Sequence, residues 1–303
     1  MDVTKIYEIM REFLPESQVK INEPMKNHTS FRIGGPADIM VLPTNIKEVK
    51  SIIEVCRQND IPFFVMGNGT NLLVKDEGIR GVVMKLAQNF NDANVNKNII
   101  RCKAGVPLSA LSRIALESSL SGLEFANGIP GTVGGAVVMN AGAYGGEMAD
   151  VVKKVTVIDM NGRLYEMQKE ELDYSYRRCI LQDGDRILLE VEMELVPGNY
   201  EDIKKQMEEF AACRKAKQPL NLPSAGSAFK RPPGHFAGAL IEKAGLKGYR
   251  IGGAMVSDKH AGFIVNVENA TFKDVISLIS HVQKEVKRKF NVNLESEIKI
   301  IGD

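Results

Sequence analysis

A glycine-rich segment in the first third of the chain has residue types that could bind a phosphate. It reads Gly67-Asn68-Gly69-Thr70-Asn71-Leu72 and follows an apolar stretch that predicts a strand. A Rossmann dinucleotide fingerprint is not predicted, because the third glycine is absent and no helix start follows. The backbone N–H groups of such a turn could instead surround a pyrophosphate, although an ordinary tight turn fits the same residues.

A second glycine-rich segment, residues 128–146, contains almost no bulky side chains. Backbone that lacks Cβ atoms can approach a flat ligand closely, which suits a planar ring. A floppy surface loop is the other interpretation, but it would leave Ile129, Val133 and Val137 without a packing role. One segment suited to a diphosphate and one suited to a ring together predict a bound dinucleotide.

Length and composition limit the classes of protein to which the chain can belong. Its 303 residues suffice for two domains, or for one large domain with a smaller companion. Hydrophobic residues make up 44% and charged residues 25%, which excludes a disordered or fibrous chain. The net charge is +1, so the whole molecule has no electrostatic bias toward nucleic acid or an anionic membrane.

Several features predict a cytoplasmic protein without a metal site. The four cysteines are 46, 77 and 34 residues apart, too far for a zinc site or a redox pair, and the histidines lack metal-ligand spacing. Residues 3–14 have apolar side chains at helical spacing among charges, which predicts an amphipathic helix and not a signal peptide. The uncharged residues 125–146 have the length of a membrane span, but their glycines and Pro130 predict a loop-rich segment.

The elements around the two glycine-rich segments begin as alternating strands and helices. Strands are predicted at residues 38–42, 61–66, 81–86 and 99–103, with helices after Asn45 and over residues 107–119. The pair Asn161-Gly162 predicts a hairpin with a type I′ turn. Apolar and polar residues alternate over residues 186–196, which predicts a half-exposed antiparallel strand.

The last third of the chain begins at Pro197-Gly198-Asn199, a turn cluster that predicts a linker and a domain boundary. Helices are predicted from Tyr200 and over residues 271–290, and a strand over residues 291–301. In that strand, alternation predicts an apolar face of Val292, Leu294, Ile298 and Ile300 and a charged face of Glu295, Glu297 and Lys299.

Six segments form a recognisable series, in order over nearly the whole chain. They are SFRIGGPA (30–37), GNGTNLL (67–73), GIPGTVGGAVVMNAGAYGGE (128–147), YSYR (174–177), SAGSAFKRP (224–232) and LESEIKIIG (294–302). With this series the chain resembles the flavoenzyme family of UDP-N-acetylenolpyruvoylglucosamine reductases. The first three segments indicate the broader FAD-binding fold, and the last three specify the reductase.

The resemblance implies an α+β fold, with a two-lobed FAD-binding domain of the vanillyl-alcohol oxidase type and a C-terminal α+β substrate-binding domain. The expected divisions are an N-terminal helix in residues 1–19, FAD-binding lobes in residues 20–85 and 86–197, and the substrate-binding domain in residues 198–303. The implied reaction uses NADPH and noncovalent FAD. It reduces the enolpyruvyl ether of UDP-N-acetylglucosamine to UDP-N-acetylmuramate for peptidoglycan synthesis.

The resemblance also implies which residues are catalytic. Ser227 matches the family's catalytic serine, whose hydroxyl would protonate the carbanion left by hydride addition. Arg177 and Glu297 match the other two catalytic positions, where a fixed positive charge and a carboxylate would stabilise the intermediate. Taken without the family, Ser227 would be a backbone-capping hydroxyl and Glu297 a surface carboxylate. The adjacent Arg178 is predicted to lie on the surface.

The expected ligand contacts follow the same segments. Flavin contacts are expected from Arg32, Gly67, Asn68, Gly69, Thr70, Asn71, Leu72, Pro130, Gly131, Thr132, Gly134, Gly135 and Gly142. Lys217 and Lys230 are the expected substrate contacts, whereas Arg231 stands where one branch of the family has an asparagine. The chain also resembles the shorter branch, which lacks the inserted loop whose tyrosine closes over the substrate.

Basic residues are concentrated in the expected substrate-binding domain. Between Arg214 and Arg250, eight residues are basic and only Glu242 is acidic. A nucleotide-sugar diphosphate with an added carboxylate is a polyanion, so such a region is expected to attract it. Nucleic acid is the rival ligand, but only three aromatic residues lie there and no stacking platform is evident.

Two other functions remain open at this point. The first is an oxidase of the same FAD-binding fold that reacts with oxygen, although the chain has no clear motif for covalent flavin attachment and contains AGSAF. The second is a nonenzymatic module that binds a nucleotide sugar, for which the basic region would suffice. FAD that copurifies and is reduced by NADPH would exclude the second.

Overall fold

The computed structural model describes residues 2–302, which divide into two compact units. The first unit comprises residues 2–21, 39–68 and 81–213, and the second comprises residues 22–38, 69–80 and 214–302. Each unit therefore combines stretches that are distant in the sequence. These units are defined by how compactly the chain packs. The four segments expected from the family are defined by the ligand that each would bind, and they remain a prediction.

The helices of the described residues include the predicted ones. They are α1 Val3–Arg11, α2 Ile46–Gln58, α3 Leu108–Glu117, α4 Val133–Val138, α5 Met148–Val151, α6 Tyr200–Lys217, α7 Ala237–Lys243 and α8 Phe272–Phe290. The side chain of Asn45 accepts the N–H of Glu48 at 3.0 Å and so caps α2. Thr271 and Asp274 form a capping box at the start of α8.

The strands are short and numerous. They are β1 Val19–Pro24, β2 Pro36–Val41, β3 Phe63–Met66, β4 Leu72–Val74, β5 Ile79–Lys85, β6 Ala93–Asn96, β7 Ile99–Lys103, β8 Leu120–Ser121, β9 Gly142–Ala143, β10 Gly146–Glu147, β11 Val152–Asp159, β12 Leu164–Gln168, β13 Arg186–Glu194, β14 Val196–Pro197, β15 Ser224–Ser227, β16 Arg250–Ile251, β17 Ala254–Val256, β18 Phe263–Asn266 and β19 Lys299–Ile301. The mixture of helices and strands agrees with the predicted α+β class.

The first unit contains two hydrophobic cores. In one of them α2 buries Val49, Ile52, Ile53 and Cys56 together with residues of a four-stranded sheet in the order β1-β2-β5-β3. The other lies against a five-stranded antiparallel sheet in the order β12-β11-β13-β7-β6. Strand β13 is antiparallel as predicted and pairs with both β11 and β7. The predicted half-exposed alternation is wrong, because β13 packs against both cores: Leu188, Val191 and Met193 are buried in one, and Ile187 and Leu189 in the other.

The hairpin between β11 and β12 does not have the predicted type I′ turn. Such a turn needs positive φ at both central residues, but only Gly162 has it, at +77°. The N–H of Gly162 donates to the Asp159 carbonyl, and the N–H of Asp159 donates to the Arg163 carbonyl, both at 3.0 Å. Asp159 Oδ1 also accepts the N–H groups of Asn161 and Arg163. The loop is therefore one residue longer than the predicted two-residue turn, because the Asp159 side chain stabilises a wider turn.

The second unit has one core. Its four-stranded sheet has the order β15-β18-β17-β16, and α8 buries five residues in the core, Val275, Leu278, Ile279, Val282 and Val286. A separate two-stranded parallel pair joins β4 to β19, with Leu72 opposite Lys299 and Val74 opposite Ile301.

The segment predicted as one final strand is extended as a strand only over Lys299–Ile301. Leu294 and Ile298 are buried as predicted, but Ile300 is 47% exposed, so the predicted apolar face is wrong at that residue. Ser296 forms an isolated bridge with Phe229, whereas Lys299 begins the pairing with β4. Because the segment changes its pairing partner, a single alternation does not continue through it.

Within residues 2–302, none of the helices combines the length and apolarity needed to span a bilayer. The uncharged residues 125–146 are divided among a short 3₁₀ helix, α4 and the small strands β9 and β10. The prediction of a loop-rich segment is confirmed.

Candidate active site

The two glycine-rich segments come together in the first unit at Gly67 and Thr132. A Cβ atom placed on Gly67 would lie 2.2 Å from Thr132 Oγ1, which no relaxed structure allows. Thr132 precedes α4, and its Oγ1 accepts the N–H of Gly135 at 3.3 Å. Only glycine at position 67 permits this approach.

The second glycine-rich segment combines packed and open backbone. Gly134 lies against Ala104, since a Cβ on Gly134 would be 2.8 Å from the Ala104 Cβ. A Cβ on Gly142 would similarly lie 2.7 Å from the Gly146 carbonyl oxygen. In contrast, Pro130 and Gly135 are exposed, and the nearest atom to a Cβ on Gly135 is Thr132 Oγ1, at 3.5 Å. The backbone at Gly135 is thus open to a ligand.

Residues 69–72 of the first glycine-rich segment belong to the second unit. Gly69 has φ of +63°, and its carbonyl accepts the N–H of Ser30 at 3.1 Å. Arg32, the expected flavin contact in the SFRIGGPA segment, is exposed and has φ of +56°. Thr70 and Asn71 are half-buried, and the chain then enters β4 at Leu72.

Ser227 ends β15, beside a β-bulge. Ser224 pairs with Val265 and Ser227 pairs with Phe263, so β15 contains one more residue than β18 between these pairs. Gly226, within the extra length, has φ of +78°. A bulge changes the direction of the following side chain, and bulges recur next to active sites. A simple alternation of side chains along β15 would therefore place Ser227 on the wrong face of the sheet.

Glu297 is joined through its backbone to the residue after Ser227. The Ala228 carbonyl accepts the N–H of Glu297 at 3.0 Å, while the N–H of Ala228 donates to the Gly262 carbonyl at 2.8 Å. Glu297 is half-buried and Glu295 is exposed. The structure therefore brings AGSAF and LESEI together, and burial distinguishes the two glutamates, which alternation could not do.

Asn71 joins the turn of the first glycine-rich segment to the same region. Its Nδ2 donates to the Glu297 carbonyl at 3.1 Å, and its backbone carbonyl accepts the N–H of Lys299 at 3.0 Å. The side chain expected to contact the flavin thus also fixes the backbone of a predicted catalytic residue. The sequence offered no signal for this bond, because its partners are 226 residues apart.

Lys217 and Lys230, the expected substrate contacts, have different surroundings within the second unit. Lys217 is exposed at the end of α6. Lys230 forms an ion pair with Glu295, and the two side chains are 32% and 72% exposed. The guanidinium of Arg231 lies 4.0 Å from the centre of the exposed Phe236 ring.

His260 lies near part of the basic region. Burial lowers its pKa most, and the positive charges of Lys247 and Lys217 lower the pKa further. Its Nδ1 accepts the N–H of Gly262 at 3.1 Å, and its ring packs against Phe263. A lowered pKa favours the neutral ring, which adds no positive charge to the basic region.

Arg177 is held in the first unit by the second glycine-rich segment. Its guanidinium donates to the carbonyls of Asn140, at 3.3 Å, and Gly142, at 3.0 Å. Its φ is +58°, a left-handed conformation that costs a non-glycine residue about 1–2 kcal/mol. Arg177 is half-buried, whereas Arg178 is exposed, as predicted.

Two titratable side chains near Arg177 in the sequence, Tyr174 and Cys179, are held in their neutral forms. Burial raises the pKa of Tyr174, and it raises the pKa of the Cys179 thiol to about 11. Cys179 is therefore not a thiolate near pH 7 and does not suit nucleophilic chemistry. Among residues 2–302, no three His, Cys, Asp or Glu side chains are grouped as metal ligands.

Comparison with known proteins identifies the family. Residues 37–168 match the FAD binding domain family, and residues 218–301 match the C-terminal domain of UDP-N-acetylenolpyruvoylglucosamine reductase. The reductase of Caldanaerobacter subterraneus subsp. tengcongensis is 55% identical over 97% of both chains, and that of Alkaliphilus metalliredigens is 50% identical over 100% of both. The chain belongs to the UDP-N-acetylenolpyruvoylglucosamine reductase family.

A solved structure of the same family supports the fold. The crystal structure of the Thermus caldophilus UDP-N-acetylenolpyruvylglucosamine reductase is 38% identical, with a TM-score of 0.79 over 93% of this chain and 98% of that one. The predicted fold class, family and FAD cofactor are confirmed. As a member of this reductase family, the chain is an FAD-dependent oxidoreductase.

The residues present fit a bound flavin dinucleotide. The match to the FAD binding domain contains Gly67, Asn68 and the segment from Pro130 to Gly142. Within it, tight packing at Gly67 and Gly134 fixes the loops, and the open backbone at Gly135 can face a ligand. A fixed loop that has no Cβ atom at an exposed position lets a flat ring approach the backbone closely.

Two amide side chains around Arg177 were missed by sequence reasoning. Asn140 is fully buried and has φ of +41°, and Gln182 lies in the 3₁₀ helix after the YSYR segment. The only sequence signal was an asparagine next to small residues, because asparagine tolerates the left-handed conformation. Nothing in the sequence marked Gln182.

Proposed function

We propose that the chain reduces UDP-N-acetylenolpyruvoylglucosamine to UDP-N-acetylmuramate with NADPH, as a cytoplasmic step of peptidoglycan synthesis that also serves cell shape and division. The observation that carries this proposal is the hydrogen bond from Glu297 to the Ala228 carbonyl. It unites the two reductase-specific segments, AGSAF and LESEI, in one unit. Identity of 50% over the whole chain to a reductase of that name supports the substrate.

The proposed chemistry adds a hydride and a proton across the enolpyruvyl double bond. FAD, which the two glycine-rich segments would hold, would supply the hydride-transfer chemistry between NADPH and the terminal carbon of the enolpyruvyl group. Ser227 donates its hydroxyl proton to the carbon beside the carboxylate, which neutralises the negative charge left there. The Ser227 oxygen then regains a proton from solvent, so the charges balance.

Arg177 and Glu297 are proposed to support this protonation. Arg177 binds the substrate carboxylate, whose negative charge increases as the hydride arrives, and an arginine can do so with two parallel hydrogen bonds. Glu297 stabilises the intermediate or assists Ser227 with the proton. Lys217 is proposed to bind the diphosphate, and Lys230 another anionic group of the substrate.

The first prediction tests this function by spectroscopy. The purified protein should be yellow, anaerobic NADPH should bleach it, and UDP-N-acetylenolpyruvoylglucosamine should restore the colour. Acid precipitation should release all the flavin, because no attachment motif is evident and backbone contacts suffice to hold it. Visible absorbance of the flavin measures each step.

The same measurement separates the rival functions. Restoration of colour by oxygen as fast as by the enolpyruvyl substrate would support the oxidase. A protein that NADPH does not bleach would support the nonenzymatic module. Colour that remains in the acid pellet would contradict noncovalent binding only.

The second prediction concerns Lys217. Replacement by alanine should raise the KM for the enolpyruvyl substrate several-fold and leave kcat close to that of the parent. The diphosphate does not react, so its contact contributes equally to the ground state and the transition state. Steady-state kinetics of Lys217→Ala measure this, with Lys205→Ala, on the same helix α6, as the control. A decrease confined to kcat would reject the proposed contact.

A further inference from the structure

We propose that Asn140 and Gln182 are positioning residues that hold Arg177 in the orientation needed to bind the substrate carboxylate. This inference rests on the proposed role of Arg177. It assigns a task to two buried or half-buried amides that the reaction itself does not use. Neither side chain donates to substrate in this proposal, since both act through the arginine.

Asn140 uses its side-chain amide and its backbone carbonyl in one cluster of hydrogen bonds. Its Nδ2 donates to the Ser175 carbonyl and its Oδ1 accepts the N–H of Ala149, both at 3.0 Å. Its backbone carbonyl accepts from the Arg177 guanidinium at 3.3 Å. The side chain thus fixes the turn that carries Arg177, while the main chain of the same residue holds the charged end.

The turn itself needs this support. Ser175 and Arg178 exchange two backbone hydrogen bonds, of 3.0 and 3.1 Å, which close a tight turn around Tyr176 and Arg177. At the third position of the turn Arg177 has φ of +58°, a place that glycine or asparagine normally occupies. A left-handed arginine persists only where its surroundings determine its conformation.

Gln182 holds the other side of Arg177. Its Nε2 donates to the Arg177 carbonyl and to the Val138 carbonyl, both at 2.9 Å. Two amide side chains therefore connect the Arg177 turn to the end of helix α4 and the residues that follow it. Because that segment is the second glycine-rich one, the arginine is positioned by the backbone that is expected to contact the flavin.

The test compares two ligands that differ by the enolpyruvyl group, which carries the carboxylate. Calorimetry of the FAD-loaded protein gives the dissociation constants of UDP-N-acetylenolpyruvoylglucosamine and of UDP-N-acetylglucosamine, which lacks the carboxylate. Asn140→Asp keeps the size but removes the donor to Ser175, and Gln182→Met removes the donor to Arg177. In each variant the ratio of the two dissociation constants, which measures the preference for the carboxylate-bearing ligand, should decrease about tenfold. This is the effect expected for a weakened charged hydrogen bond.

A merely structural role would lower the affinity for both ligands equally, or would lower the melting temperature without changing their ratio. Asn127→Asp is the matched control, because its amide also donates to a backbone carbonyl, that of Met207, at 3.0 Å. This control should keep the parent ratio. If Asn140→Asp fails to fold, Gln182→Met decides the question alone.

Arg177→Ala separates the inference from the proposed function. This variant should lose the preference for the carboxylate more completely than either amide variant. If Arg177→Ala loses the preference and both amide variants keep it, the positioning role is wrong and the role of Arg177 stands. If Arg177→Ala keeps the preference, both are wrong.

Discussion

Replacement of Ser227 by alanine is expected to leave the NADPH-dependent bleaching of the flavin at the parent rate and to prevent normal reoxidation by the enolpyruvyl substrate. The loss in the second step should be about 10²–10⁴-fold, the usual contribution of a positioned acid. NADPH and substrate are proposed to visit the flavin in turn, so a residue that only protonates the substrate has no part in the first step. Anaerobic stopped-flow absorbance measures both steps separately.

Two further variants sharpen this prediction. Ser227→Cys retains an acidic proton near the same place and should recover part of the reoxidation rate. Ser224→Ala, in the same strand β15 but before the bulge, should behave as the parent in both steps. If Ser227→Ala instead slowed the bleaching and left reoxidation intact, the serine would not be the proton donor. Glu297 would then be the leading candidate.

Gly67→Ala is expected to yield a folded protein that retains little FAD. The added Cβ would lie 2.2 Å from Thr132 Oγ1 and 3.1 Å from its Cγ2, so the two glycine-rich segments must move apart. Overpacking of this kind costs about 1–3 kcal/mol, which corresponds to roughly five- to 150-fold in affinity if the flavin needs the original spacing. The ratio of flavin to protein after dialysis, and a titration with FAD, measure the loss.

A second substitution tests the cause of that loss. Thr132→Ala removes the two nearest side-chain atoms, Oγ1 and Cγ2, and leaves only Cβ, at 3.2 Å. The double variant Gly67→Ala/Thr132→Ala should therefore bind more FAD than Gly67→Ala alone. The single variant Thr132→Ala shows how much FAD binding changes when only the Thr132 hydroxyl and methyl groups are lost. Equal FAD binding by Gly67→Ala and the parent would show that the flavin does not depend on this close approach.

Most of the fold could be predicted from the sequence because its elements have strong local signals. Helix α2 begins after the predicted Asn45 cap, and β7 has the predicted bounds, Ile99–Lys103. Local signals failed where a distant partner or a neighbouring side chain decided the conformation. Ile300 is exposed because the segment exchanges one pairing partner for another, and the Asn161-Gly162 loop is wider because Asp159 stabilises it.

The proposed catalytic residues of the candidate site could be predicted from the sequence, but their geometry could not. Family resemblance located Ser227, Arg177 and Glu297 in the sequence, but their geometry depends on features without a sequence pattern. The bulge at Gly226 directs Ser227, and the left-handed turn at Arg177 depends on amides from elsewhere in the unit. Glu297 follows Ser296, which forms a bridge with the distant Phe229, and its N–H donates to the Ala228 carbonyl.

The pairing of β4 with β19 constrains the order in which the protein can fold during its synthesis. Leu72–Val74 leave the ribosome long before Lys299–Ile301, yet they pair with these residues, and Asn71 also needs the Glu297 carbonyl. Contacts over such separations form late, because the entropy of closing a long loop must be overcome first. The GNGTNLL turn therefore cannot reach its final form until residues 297–301 have been made, and we expect stable FAD binding only after that point.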